Sequence, residues 1–438
     1  MSKKSISARD AQRTFQRYLD DVASAFGHAD RVEPFESYCK GLLLPGDRKS
    51  VEPMAARLAP TTVRSKHQSM HHFVATSSWD AQRVLNRVAA IVLPAIEKSG
   101  PITSWIVDDT GIPKKGEHSV GVSHQYCGQL GKQANCQVAV TLSIANDAAS
   151  LPIAHQLYLP ESWAEDSERR EKVGVPKDIR FKTKLELALE QIRRAVARKL
   201  PRGVVLADAA YGNASEFREG VTKLGLSYAV AVQTTTNVWR PGESPLKPKA
   251  RTSTIGRPPS AFRQTAQHHP ISVRELAREL PASAYRTVTW REGTNAPLRS
   301  RFAAVRIRVS HGHRPKSTLP PEEWLVIEWP SDQEEPIKFW LSTLAGNLSL
   351  KKLVASIMGR WRIERDYQEL KSELGLGQYE GRSWLGFHHH AALCITAYGF
   401  LLLQRGAFPP SEIGHRLPQP SIPEDFKPRG SSDSSNAT

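Results

Sequence analysis

Cysteine is scarce in this chain. Four occur in 438 residues, at Cys39, Cys127, Cys136 and Cys394, and no two form a C-x-x-C pair. That argues against a disulfide-stapled fold and a zinc knuckle, and it suits a reducing cytosol. His118 and His124 lie near Cys127 and Cys136, but the C-x8-C gap is poor zinc spacing. Long apolar runs are missing too. The longest, AALCITAYGFLLL at 391–403, falls short of the ~18 residues that a membrane crossing needs and reads as a buried helix. The N-terminus, MSKKSISARDAQRTF, lacks the apolar core of a signal peptide, so a cytoplasmic protein with no membrane partner is expected. Neither an internal repeat nor a G-x-x-x-x-G-K-[ST] phosphate loop occurs.

Acidic residues are outnumbered. Sixty Lys and Arg face 44 Asp and Glu, which gives a formal charge of +16 and a pI of about 9.7. Such a balance points to a polyanion partner, nucleic acid first. With 39% hydrophobic and 24% charged residues the composition is ordinary for a globular protein, and the length suits two or three domains.

The periodicity changes along the chain. Residues 1–95 read as helical: ARDAQRTFQRYLDDVASAF repeats its apolar residues at helical spacing. A basic stretch, RSKHQSMHHF, comes next, then a further helix with Ser78 as its N-cap candidate, ending near Gly100. A basic helical module suits DNA binding, and equally a helical support for the neighbouring domain. From residue 96 to 225 the pattern becomes strand, helix, strand. SWIVDD, QANCQVAVTLSIAND and LPIAHQLYLP look like strands, 183–200 like a long helix, and GVVLAD like a strand ending in an acid. That order implies an α/β fold with a partly parallel sheet and flanking helices. Residues 226–345 form a strand-rich block with Pro- and Gly-rich turns such as KPKARTSTIGRPPS. Helical spacing returns over 346–405, and a proline-rich tail, 406–438, is too poor in apolar residues to order itself.

Three acidic positions carry the chemical signal: the Asp108–Asp109 pair after WIV, Asp208 at the end of GVVLAD, and Glu364 in GRWRIERDYQELK. Parallel neighbouring strands deliver their terminal residues to one sheet edge, where α/β sites form. Carboxylates gathered there suit hard Mg²⁺ ions, and two such ions stabilise both oxygens of a phosphodiester displacement. Each acid alone has a plainer reading: Asp208 as a turn or helix cap, Glu364 as part of a solvated charged face. Arg360, Glu364 and Lys371 are spaced by four and then seven residues, on one helix face, so two cations flank one carboxylate. Arg forks onto phosphate and Lys meets it as a point charge; the plainer alternative is a pair of intrahelical ion pairs. Arg362 and Arg365 enlarge the basic surface on either reading.

RWRIERDYQELK closely resembles the third-acid motif of bacterial insertion-sequence transposases of the DDE type: tyrosine, two residues, arginine, three residues, glutamate, six residues, lysine. Arg360, Glu364 and Lys371 fit the last three positions, and Ile357 stands where the tyrosine would be. WIVDDTGIPKKG resembles the family's first-acid strand and VVLADAAYGNASEF its second; GLLLPGDRKSVEPMA is a weaker match upstream. The resemblance runs in order over roughly residues 100–400. It implies an RNase H-like core interrupted by a strand-rich insertion between Asp208 and Glu364, and a transposase that binds the terminal inverted repeats of an insertion sequence. Asp108, Asp208 and Glu364 would be the catalytic and metal-binding acids, with two Mg²⁺ ions, for which Mn²⁺ can substitute. It further implies Arg360 and Lys371 on phosphates, a homodimer joining two ends, and a nucleoid-associated bacterial protein. Aligning the apolar run selects Asp108 as first acid, whereas aligning the Asp-Thr pair selects Asp109. A stand-alone metal-dependent nuclease and a non-catalytic DNA-binding protein are the rival readings.

Several other residues have two readings each. Lys114 and Lys115 sit in a Gly-, Lys- and His-rich stretch that suits phosphate contacts or a solvated hairpin loop. Trp361, inside the third motif, suits DNA contact, although core packing is the commoner fate of a tryptophan, here as for Trp239, Trp290, Trp324, Trp329 and Trp340. The His388–His390 run suits phosphate contact, metal binding or a helix cap, with the cap as the plainest reading.

Overall fold

The computed structural model describes residues 8–248, 262–291, 297–310 and 319–407. Five helices open the chain: α1 (Ala8–Ala23), α2 (Val32–Leu43), α3 (Val51–Leu58), α4 (Val63–Ala75) and α5 (Ala81–Glu97). α5 buries Val84, Leu85, Val88, Ala89, Val92, Leu93 and Ile96, an apolar stripe at helical spacing. Its N-cap is Asp80, not Ser78: the Asp80 carboxylate accepts from the backbone N–H groups of both Gln82 and Arg83. A charged acceptor holds two of the orphan donors of the first turn, and the helix begins where it can do so.

Strands β1 (Ser104–Pro113), β2 (Ser123–Cys127), β3 (Lys132–Ala145) and β4 (Ser150–Leu157) come next as antiparallel neighbours. After two short helices, α6 (Glu161–Ala164) and α7 (Ser167–Lys172), comes α8 (Lys184–Ala197), started by a capping box between Thr183 and Glu186. β5 (Val204–Ala207) then pairs parallel with β1. Two short helices, α9 (Ala209–Gly212) and α10 (Ser215–Lys223), lead to β6 (Tyr228–Val232), which pairs parallel with β5. The parallel pairs and the crossing helices are the strand–helix–strand pattern visible in the sequence.

The strand-rich stretch comprises β7 (Asn237–Trp239), β8 (Ile271–Ser272), α11 (Val273–Glu279), β9 (Arg286–Arg291), β10 (Leu298–Val309), β11 (Glu323–Glu328) and β12 (Lys338–Ser342). It continues the sheet of the core. β12 pairs antiparallel with β6, and the path runs β2-β3-β1-β5-β6-β12-β11-β10-β7-β8, with β4 on β3 and β9 on β10. Most of the KPKARTSTIGRPPS turn and the tail from Phe408 lie outside the described residues.

The returning helical pattern is two helices, α12 (Leu350–Met358) and α13 (Trp361–Ser372), broken at Gly359 and Arg360. A Cβ at position 359 would stand 3.5 Å from both Leu206 Cδ1 and Ser104 Oγ, so the bend lies directly on β1 and β5. α14 (Trp384–Ala407) closes the described fold and contains the long apolar run. It packs on the N-terminal helices. Tyr18 donates to the Thr396 carbonyl at 2.8 Å, Tyr38 meets His390 Nδ1 at 2.9 Å, and His389 lies between the Val74 and Trp79 carbonyls while stacking on the Trp79 ring at 3.5 Å. The first helices and the last thus share one core. Among the described residues no helix is long and apolar enough to cross a membrane.

Candidate active site

Parallel pairing fixes where the first two acids meet. Ile106 on β1 stands opposite Leu206 on β5, so two residues further along each strand Asp108 and Asp208 come abreast. Asp208 ends its strand by capping α9, its Oδ1 accepting from Ala210 N at 2.9 Å. The capping role read from the sequence is therefore present, and Asp208 Oδ2 faces Arg360 as well. The sharp turn after it needs Gly212, because a Cβ there would run into the Ala231 carbonyl oxygen of β6.

α13 delivers the third acid across the same edge. Arg360, at its start, directs its guanidinium between all three carboxylates. It lies 2.8 Å from Asp108 Oδ1, 4.0 Å from Asp208 Oδ2 and 4.0 Å from Glu364 Oε1. Glu364 sits one turn after Arg360, with its side chain 74% exposed, while that of Asp108 is 12% exposed. Burial pushes the Asp108 carboxyl up to about 6; Arg360 works against this and the charge of Asp208 adds to it. Burial also opposes the charge on Arg360, but Asp108 and Asp208 outweigh it and raise its pKa. The carboxylates repel one another, and one half-buried cation holds them together.

The pleat separates Asp108 from its neighbour. Asp109 faces the other side of β1, where Lys184 of α8 pairs with Oδ2 at 2.6 Å and the Tyr211 hydroxyl donates to Oδ1. Both its oxygens are taken by structural partners, and none of them belongs to α13. Nothing in the sequence marked Lys184 or Tyr211: they stand 75 and 102 residues from Asp109, and only the fold brings them in. Behind Asp108, the hydroxyls of Thr141 and Tyr367 bond to each other, and Thr141 also donates to the Asp108 carbonyl at 3.2 Å. Tyr367 lies one turn after Ile363 on the inner side of α13, a position that helical spacing could have flagged.

The remaining expected residues are spread along the same strand. Lys371 donates to the Gly111 carbonyl at 2.9 Å, and Lys114 donates to the Tyr379 carbonyl at 2.7 Å; burial lowers the pKa of both. Lys115 is exposed in the loop beyond β1. Arg365 pairs with Glu369 at 3.4 Å on the outer face of α13, away from the acids. Trp361 has the Arg291 guanidinium 3.5 Å from its ring centroid and that of Arg362 5.0 Å away, so protein cations stack on the ring. Ile357, at the motif's tyrosine position, is buried in the core.

The donor set fits divalent cations in its chemistry. Three hard carboxylates lie within 4.0 Å of one guanidinium, and divalent cations taking its place would meet the same oxygens. With Arg360 between them, no three such side chains among the described residues already form a closed metal cage. Holding ions would therefore require the Arg360 guanidinium to turn outward.

A mixed sheet with two acids abreast on parallel strands, faced by a third on a helix, defines an RNase H-like α/β protein. A family model described as DDE superfamily endonuclease matches residues 21–297, more than half of the chain, and the chain belongs to that family. The matched stretch includes Asp108 and Asp208 and stops before Glu364. Over 217 residues the chain is 30% identical to the "Probable transposase for insertion sequence element IS701" of Microchaete diplosiphon, covering 49% of this chain and 53% of that protein. The match thus spans about half the length of that curated relative. DDE superfamily enzymes generally use divalent metal ions.

Proposed function

We propose that this chain is a DNA transposase that cuts the terminal inverted repeats of an insertion sequence and joins them to target DNA. One observation carries the reading: carboxylates from β1, from the end of β5 and from α13 all approach a single half-buried guanidinium at one sheet edge. In this reading Asp108, Asp208 and Glu364 hold two Mg²⁺ ions. When bound, such ions lower the pKa of water and stabilise the attacking and leaving oxygens of a phosphodiester displacement.

The chain's own residues do the rest. Arg360, released from the carboxylates, is left as a fork-shaped donor beside the reacting phosphate, and Lys371 holds the next stretch of backbone. Arg362 and Lys115 add positive charge around the approach. Water attacks the phosphodiester and a 3′-hydroxyl leaves; that hydroxyl then attacks a target phosphodiester in the same in-line geometry, so no covalent protein–DNA bond is formed. Two ends must be joined, which calls for a homodimer in the DNA complex, and such a protein works in the bacterial cytoplasm on the nucleoid.

The test is Mg²⁺-dependent cleavage and joining of end-bearing DNA by wild type, Asp108→Asn, Asp208→Asn and Glu364→Gln. Loss of both steps in each variant is expected. Joining at the wild-type rate in the Asp208 or Glu364 variant would reject the mechanism; cleavage without joining in wild type would point to a stand-alone nuclease.

A further inference from the structure

Past the acids, β1 runs into a second site. A cavity of about 480 Å³ lies between the loop leading into α3, the loop between β1 and β2, and the loop between α13 and α14, and it is lined by Arg48, Ser50, Lys114, Lys115, His118 and Arg382 among others. Glu380 is the one acidic residue in its lining, and it is paired with Arg48 at 2.9 Å. Lys115 and Arg382 are exposed and have no ion-pair partner among the described residues. The cavity is held open by fixed contacts: the Gln378 side chain bonds Lys49 N and the Asp47 carbonyl, and Val120 N donates to the Arg382 carbonyl at 3.0 Å.

Ser50, in the lining of the cavity, also begins a helix. Ser50 is the N-cap of α3, yet its hydroxyl makes no capping bond. The residue is 6% exposed, and its Oγ is buried without a hydrogen-bond partner. The N–H groups of Val51 and Glu52, ahead of Pro53, also lack intrahelical partners at the start of α3, where the helix dipole favours an anion beside the Glu52 carboxylate already in that turn. A buried hydroxyl, a helix N-terminus and free cations therefore converge on one space.

We propose that this cavity binds a backbone phosphate of the DNA whose scissile bond lies at the acids, a proposal that rests on the transposase reading. Arg360, Lys371, Lys114 and Lys115 form a line of cations along β1 from Asp108 to the cavity. Pro113, at its mouth, lies five residues beyond Asp108, roughly 17 Å along a strand. At 3.4 Å of rise per nucleotide, that sets the bound phosphate about five nucleotides from the cut.

The experiment uses full-length protein and terminal-repeat duplexes carrying a single neutral methylphosphonate, moved one position at a time. In wild type the substitution should weaken binding several-fold at about the fifth position, and the same substitution should have no further effect in Lys115→Ala/Arg382→Ala. That double variant should also lower the slope of log affinity against log salt by about one to two. Ser50→Ala should weaken binding while leaving the slope unchanged. A wild type that cuts DNA but shows a flat methylphosphonate profile, with the double variant matching it in slope, overturns the cavity proposal alone. Wild type that binds at this position but never cuts with Mg²⁺ overturns the reading of the acids instead, and the cavity then stands only as a DNA contact.

Discussion

β1, β5 and β6 run parallel, whereas β11 runs antiparallel to its neighbours β10 and β12, though all six belong to one sheet. Each half buries acids, and it treats them differently. In the antiparallel half Glu323 and Glu328 are both buried on β11, and burial raises the pKa of each; the Tyr228 hydroxyl donates to Glu323 at 2.7 Å, and the charges of Arg218 and Arg306 also work against the rise there. In the parallel half Asp108 and Asp208 come abreast at one edge, and Arg360 is drawn between them. Parallel pairing repeats the same strand end side by side, so like charges accumulate there. Antiparallel pairing alternates strand ends and leaves each acid to its own local partners. The strand-rich half extends the sheet without adding to the acid cluster.

The sharpest way to break this contrast is to remove one member of the cluster at a time. Asp208→Asn and Glu364→Gln should each lower cleavage by well over a hundredfold, since outer partners of a metal site alone account for 10–100-fold. Asp109→Asn should retain cleavage much better and lose stability instead, because it weakens the bonds to Lys184 and Tyr211. The reverse ranking, with Asp109 indispensable and Asp108 replaceable, would exchange the roles of the two faces of β1.

Gly212→Ala comes next in size. The added Cβ meets the Ala231 carbonyl oxygen, part of the backbone of β6, which cannot give way as a side chain tip can. Overpacking of this kind costs about 1–3 kcal/mol, which a urea midpoint resolves. The turn that carries Asp208 should shift with it, and cleavage should fall in step. A midpoint equal to wild type would mean that the turn is not clamped between β5 and β6.

Acid tests the cluster in another way. Asp108 has a folded pKa of about 6, above the ordinary value of 3.8. An acid with a raised pKa favours the folded state fully below about 3.8, and that contribution is lost as pH rises through 6. Binding of Mg²⁺ has the opposite requirement, because a carboxylate must lose its proton to become a ligand. The shift in unfolding temperature caused by Mg²⁺ should therefore be large at pH 7.5 and should shrink steadily below pH 6. In Asp108→Asn that pH dependence should vanish; its persistence would assign the proton to another group.

Strands were legible in both halves, and in the parallel half their terminal acids too. WIVDD and GVVLAD read as strands ending in acids because an apolar run followed by Asp needs no long-range information, and the alternation of a strand is enough to put Asp108 and Asp109 on opposite faces. What lay hidden depended on contacts between distant residues. The bend at Gly359 arises from its approach to Ser104 and Leu206, and helical spacing carries straight through it. The pairing of β12 with β6, which joins the strand-rich stretch to the core, leaves no local mark either. The cavity beyond β1 draws on loops more than 250 residues apart in the chain, as the Lys114–Tyr379 bond shows with a separation of 265.

The smallest effect sharpens the link between the halves. Arg291 is the last residue of β9, in the antiparallel half, and its guanidinium lies 3.5 Å above the ring of Trp361, the residue next to Arg360. A cation over an indole at a half-exposed site contributes about 0.5–1 kcal/mol. Arg291→Ala should therefore lower stability by about that much, and a double-mutant cycle with Trp361→Ala should recover most of it as coupling. The contact also fixes the first turn of α13, which carries Arg360 and Glu364, so loosening it should raise the Mg²⁺ concentration needed for half-maximal cleavage by a few-fold. A base stacked on Trp361 would give a different pattern. Arg291→Ala would then expose the ring and tighten DNA binding, whereas a ring used for packing should leave affinity for DNA slightly weaker, by the one positive charge removed.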